Sequence, residues 1–152
     1  MISDLSALQL QIEASLQQHL PTKSQIAQPM LDAMSYAVMG GGKRLRPMLV
    51  CASCEAFGGD YETAMPAACA FEFIHAYSLI HDDLPAMDDD ALRHGKPSTH
   101  IAFGEANAIL AGDSLHSLAF QAISEAQGIS ATNKLTIISL LSKAAGWPGM
   151  SG

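Results

Sequence analysis

Two charged clusters stand out in a chain of 152 residues of which only 15% are charged. Five of the fifteen acidic side chains fall within the nine residues from Asp82 to Asp90 (DDLPAMDDD), and three of the eight basic ones within the four from Lys43 to Arg46. Adjacent carboxylates repel one another and need solvent or a cation to neutralise them. Mg²⁺ suits such a group, because it takes one or two carboxylates, keeps several waters and draws its remaining ligands from phosphates. A solvated acidic loop is the plain alternative, but these acids terminate a nearly uncharged stretch, residues 64–83. A calcium-binding EF-hand does not fit, since the glycine and terminal glutamate that it needs are out of position.

The second cluster is GGGKRLRP, residues 40–47. Glycines let backbone approach a ligand closely, and Lys43 and Arg46, three apart, are placed to share a helical face and present ammonium and guanidinium to one polyanion. It is not a Walker P-loop, because Arg44 stands where Ser or Thr would hold magnesium. Alone, the cluster reads equally as a capped helix with a basic first turn. Together, the two clusters match what a diphosphate demands, a bridging cation and basic side chains to hold it. His75 precedes Asp82 by seven residues, nearly two helical turns, which places both on one face about 10 Å apart. A packed core histidine is the alternative there.

Apolar residues recur at helical spacing wherever elements are needed to position these groups. Leu5, Leu8, Ile12 and Leu16 mark a helix over 5–17, ended by Pro21. Ile26, Met30, Met34 and Val38 mark a second that runs into Gly40, Gly41 and Gly42. A third is expected to start at Pro47, a residue suited to a first turn, and to run to Gly58. The segment 64–83 reads as a buried helix carrying the acids at its far end. Pro85 breaks it, and a loop with Gly95 and Pro97 follows. Residues 105–126 and 132–145 give two more helices. Strand signals are missing, so the expected class is all-α, in one domain without repeats or linkers. Segments this apolar need further helices around them, which points to a larger bundle or an oligomer.

Composition narrows the function. With 49% hydrophobic residues the chain is no disordered tail, and a globule of this length buries about 70% of its unfolded surface without staples. A net charge of −7 argues against nucleic acid as a partner. No apolar run is long enough for a membrane span, and the N-terminus lacks the features of a signal peptide. Cys51, Cys54 and Cys69 are odd in number and sit at apolar positions, which fits reduced thiols in a cytoplasmic protein. The CASC spacing lies in a helix without a second cysteine pair and is read as core. Met30, Met34 and Met39 are read as core filler, Asp113 as a cap or pairing partner, and His100 is given no chemical role.

The segment EFIHAYSLIHDDLPAMDDDALRHGKPSTHIAFGEANAILAGD, preceded by GGGKRLRP, closely resembles the short-chain trans-polyprenyl diphosphate synthases, and among them the bacterial farnesyl diphosphate synthases, from about residue 26 onward. The resemblance implies antiparallel helices around a deep cavity, a homodimer, and a prenyltransferase that adds isopentenyl diphosphate head to tail to an allylic diphosphate. It implies Mg²⁺ on Asp82, Asp83 and Asp88, with Asp82 and Asp88 as direct ligands, holding the allylic diphosphate together with Arg93. It implies that Lys43, Arg46 and His75 hold isopentenyl diphosphate. Tyr77 and Ser78, five and four residues before Asp82, fall where the family limits product length. An aromatic ring there, with an insertion like Pro85 and Ala86, points to a C15 product. The family also contains geranyl and geranylgeranyl diphosphate synthases, and a non-catalytic diphosphate-binding subunit is a further alternative.

Two departures from the pattern follow. His94 stands where the family has a second arginine for isopentenyl diphosphate; it lacks the two-pronged guanidinium contact, so weaker affinity is expected. The match also stops inside what resembles a GMxGGQ segment, about halfway along family members. The absent half carries a second aspartate-rich motif, a lysine on the allylic diphosphate and the other cavity wall. The expectation is therefore a fragment, inactive alone, or a partner for a separate second half.

Overall fold

A computed structural model of the chain describes Ile2 and residues 4–152. Seven helices account for about two thirds of the described residues. Helix α1, Leu5–His19, starts where the Asp4 carboxylate accepts hydrogen bonds from the amides of Ser6 and Ala7 at 2.8 and 3.1 Å, which satisfies donors with no partner inside the helix. It buries Leu8, Ile12 and Leu16. Helix α2, Gln28–Met39, buries Leu31, Ala33, Met34 and Val38. Ile26, read as the first residue of that stripe, lies outside the helix and is 97% exposed, because Pro29 sits at the helix start and fixes the boundary after it.

Helix α3, Leu45–Ala56, begins two residues before the expected start at Pro47, which is buried in its first turn. Helix α4, Tyr61–Asp82, is the central element. It spans about 33 Å at 1.5 Å per residue and packs mainly against α3 and the later helix α6, Glu105–Glu125. Both partners of that last contact are rich in small buried residues, Ala67, Ala68, Ala70 and Ala76 on α4, and Ala108, Ala111, Gly112, Ala119 and Ala122 on α6. Small side chains allow helix backbones to approach closely, and Phe73, Ile80, Leu115 and Ile123 fill the space that remains. Helix α2 lies against α6, and α7, Ala131–Ala145, also packs on α6.

The all-α expectation holds, with two additions. A two-residue antiparallel ladder joins β1, Leu92–Arg93, to β2, Lys96–Pro97. Its turn residues His94 and Gly95 have φ of 52° and 77°, the positive values of a tight primed hairpin turn. A strand this short leaves no alternating pattern to read. The second addition is a one-turn helix α5, Thr99–Phe103, between the hairpin and α6. Among the described residues, no helix is long and apolar enough to cross a membrane.

Candidate functional site

The glycine run leaves α2 with Gly41 and Gly42 at φ of 114° and 123°, values that a side chain would strain. Lys43 follows in the loop, and Arg46 is the second residue of α3. They therefore do not share a helical face, because α3 starts after Lys43. They nevertheless line one cavity of about 220 Å³, together with His75, Asp83, Arg93 and His94. Between them Arg44 turns inward. It is 4% exposed, and its Nη1 donates to Glu72 Oε1 at 2.9 Å.

Helix α4 contributes Glu72, His75, Ala76, Leu79, Ile80 and its C-cap Asp83 to the cavity wall, the steps of three and four residues of one helix face. Of the two adjacent acids, Asp83 lines the cavity and Asp82 does not. Burial holds the His75 pKa below its ordinary value of 6.5, the Arg46 guanidinium adds to the effect, and Arg93 and His94 add less. The imidazole is therefore uncharged at neutral pH, able to donate from one nitrogen and accept at the other.

At the end of α4, Asp83 is 2% exposed and spends its carboxylate on Arg93, whose Nη2 contacts Oδ1 and whose Nε donates to Oδ1 at 3.2 Å and to Oδ2 at 3.3 Å. That hydrogen bonding raises the guanidinium pKa above its already high value. Asp90 approaches the same guanidinium at 3.8 Å. The intervening LPAM turn folds back, so that the Asp88 amide donates to the Asp82 carbonyl at 2.8 Å. Asp82 is half-buried and Asp88 exposed; neither is in the cavity wall. Among the described residues, no three His, Cys, Asp or Glu side chains gather around one point in the manner of a closed metal site. Mg²⁺ asks for less, one or two carboxylates with water and phosphate, and the carboxylates of Asp82 and Asp88, whose backbones the turn brings together, are donors of that chemistry.

Tyr77 and Ser78 lie elsewhere on α4. Ser78 Oγ donates to the His75 carbonyl at 2.8 Å. The Tyr77 ring packs edge-on against His81 and His116, with centroids 5.0 and 5.1 Å away, and His116 continues to Phe120 at 5.2 Å. His81 lies 3.9 Å from Asp113, so the partner of that aspartate is a histidine on α4.

Sequence reasoning passed over Arg44, Glu72, Tyr36 and Lys96. Tyr36 donates from its hydroxyl to the Pro97 carbonyl at 2.8 Å, and Lys96 Nζ donates to the Gly40 carbonyl at 3.3 Å. Glu72, the lone acidic residue between Ala64 and His81, was the one signal available for the buried pair. The cysteines are all free, and burial pushes the Cys51 and Cys69 thiols up to about 11, which suits core packing rather than reaction. His100 is buried with its Nδ1 3.1 Å from Ser98 Oγ, a local tie at the start of α5.

Comparison with known proteins adds an independent line. The chain is 55% identical over 122 residues to the farnesyl diphosphate synthase of Haemophilus influenzae, covering 80% of this chain and 41% of that one. It is 50% identical over 120 residues to the chloroplastic geranylgeranyl pyrophosphate synthase of Catharanthus roseus, covering 78% and 34%. The crystal structure of an FPP/GFPP synthase from Zymomonas mobilis superposes with a TM-score of 0.91 at 43% identity, over 100% of this chain and 56% of that one. The chain thus spans about two fifths or less of these curated relatives and about half of the solved structure. The polyprenyl synthetase family model matches residues 27–146, which include every residue of the cavity wall, and the chain belongs to that family.

Proposed function

We propose that this chain forms the diphosphate-binding half of a farnesyl diphosphate synthase, a prenyltransferase that condenses dimethylallyl or geranyl diphosphate with isopentenyl diphosphate. The observation that carries this reading is the convergence of Lys43, Arg46, His75 and Arg93 on one cavity beside the acids that end α4. Lys43 and Arg46 supply fixed positive charge for the diphosphate of isopentenyl diphosphate, and the uncharged His75 supplies a hydrogen bond without a further desolvated charge. Arg93, held by Asp83, faces the allylic diphosphate.

Asp82 and Asp88 would hold Mg²⁺, with Asp83 orienting Arg93 beside them; when bound, the ion would offset charge on the leaving diphosphate. Cationic side chains aimed at that diphosphate stabilise the charge that grows as the allylic C–O bond breaks. The resulting allylic cation is attacked by the double bond of isopentenyl diphosphate. Loss of a proton, taken by the departed diphosphate, completes the five-carbon extension. Ala76, Leu79 and Ile80 give the cavity an apolar flank, which keeps water from the cation.

Turnover is assigned to a polypeptide of the relatives' full length, acting as a cytoplasmic homodimer. The likeness to a geranylgeranyl pyrophosphate synthase supports one second reading, with a deeper cavity and a C20 product. Incubating the full-length enzyme with labelled isopentenyl diphosphate, geranyl diphosphate and Mg²⁺, then separating products by chromatography, tests both. A C15 product is expected; a C20 product transfers the assignment, and no condensation at all refutes it. The 152-residue chain under the same conditions should bind isopentenyl diphosphate and show no sustained turnover.

A further inference from the structure

We infer that Arg44 and Glu72 are positioning residues for the isopentenyl diphosphate clamp, acting through Lys43, Arg46 and His75 rather than by touching substrate. The inference rests on the clamp reading above and goes beyond it by naming what holds the clamp in register. The three clamp groups come from two segments that are separate in the chain, the loop and first turn of α3 and the middle of α4. The Arg44–Glu72 pair is the direct side-chain link between those elements in the cavity wall, with Nη1 2.9 Å from Oε1 and both groups buried.

Four observations converge on this role. Arg44 adopts a left-handed backbone, φ 51° and ψ 33°, which is unfavourable for a residue with a Cβ and persists when the surroundings hold it there. Its carbonyl accepts from the Met48 amide at 3.1 Å, so the same residue opens α3 and fixes where Arg46 leaves the helix. Its side chain folds back beneath the glycine run, close enough that a Cβ on Gly42 would lie 3.7 Å from Nη1. On the other side, Glu72 precedes His75 by three residues on the same face of α4. The pair therefore sets the distance of Lys43 and Arg46 from His75. Glu13 of α1 approaches Arg44 Nε at 3.6 Å, while Nε itself has no hydrogen-bond partner. Among the described residues, Glu72 thus provides the hydrogen-bonded charge partner of the buried guanidinium, with Glu13 as a longer ion pair.

Full-length enzyme carrying Glu72→Gln or Arg44→Lys is compared with wild type for the KM of each substrate. A positioning role predicts that the KM for isopentenyl diphosphate rises about five- to twentyfold while that for geranyl diphosphate changes less than about twofold. The double variant Arg44→Met with Glu72→Met removes the pair without leaving a buried charge. It should keep a thermal midpoint closer to wild type than either single variant, yet retain the raised KM. Equal rises in both KM values, or an isopentenyl KM that returns to normal in the double variant, would overturn the inference by showing a purely structural role. Lys43→Ala separates the two claims. If it raises the isopentenyl KM and Glu72→Gln does not, positioning fails and the clamp stands; if it leaves that KM unchanged, the clamp reading fails and the inference with it.

Discussion

The imidazole of His81 on α4 occupies the space that a side chain at Gly112 on α6 would need. A Cβ built on Gly112 would lie 2.6 Å from the His81 Cδ2 and closer still to Nε2, and Nε2 donates to the Ile109 carbonyl at 3.2 Å. The seat of the His81 ring between the two central helices depends on glycine at position 112. Gly112→Ala should therefore destabilise the fold by about 1–3 kcal/mol, the usual cost of overpacking. His81→Ala in the same chain should recover part of that loss. Denaturant titration of the two variants checks this, and a Gly112→Ala midpoint equal to wild type would contradict it.

Tyr77 stands next to that contact, its ring edge-on to His81 and His116. In the full-length enzyme, Tyr77→Ala should open space along α4 and shift products beyond C15. Chromatography of the extracted products reads the outcome. A distribution identical to wild type would remove Tyr77 from the determinants of chain length.

His94 lines the cavity from the tip of the hairpin. Replacing it with arginine restores a forked donor and should lower the KM for isopentenyl diphosphate by about three- to tenfold, the order of one charge-assisted hydrogen bond. An unchanged KM would place position 94 outside the contacts made by substrate.

The depressed pKa of His75 has a defined sign for stability. The unfolded chain takes up a proton at its ordinary value of 6.5, whereas the folded chain resists until lower pH, first because of burial and then because of Arg46. The contribution is thus fully present above the unfolded value and is lost as pH falls toward the folded one. Between about pH 7.5 and about pH 5.5, the thermal midpoint of His75→Asn should fall less than that of wild type. Parallel slopes for the two proteins would show that His75 titrates without strain.

Much of the architecture was legible because helices in this chain carry dense apolar spacing and clear stops. The expectation for residues 105–126 met α6, Glu105–Glu125, and Pro21 closed α1 as read. Ile26 misled because hydrophobic spacing continues past Pro29 although the helix does not. The hairpin was invisible because a two-residue ladder has no periodicity and because His94, rather than Asn or Asp, supplies a positive φ. In the site, the charged clusters were evident, but spacing alone did not tell which of the adjacent acids lines the cavity, Asp83 and not Asp82. Counting from His75 finds the residue above it on the helix, whereas the cavity wall is a broader face that runs from Glu72 to Asp83. The Arg44–Glu72 pair escaped notice since 28 residues separate its members, and no local pattern joins them.

The hairpin's two ties, from Tyr36 to Pro97 and from Lys96 to Gly40, fasten Arg93 and His94 to the same helix end that launches the glycine run. On its other side the Arg93 guanidinium is held by the Asp83 carboxylate at the end of α4, so the hairpin is pinned between the two helices that flank the cavity. A ligand with two phosphorus atoms would thus meet donors already set in place, with little ordering cost left on binding.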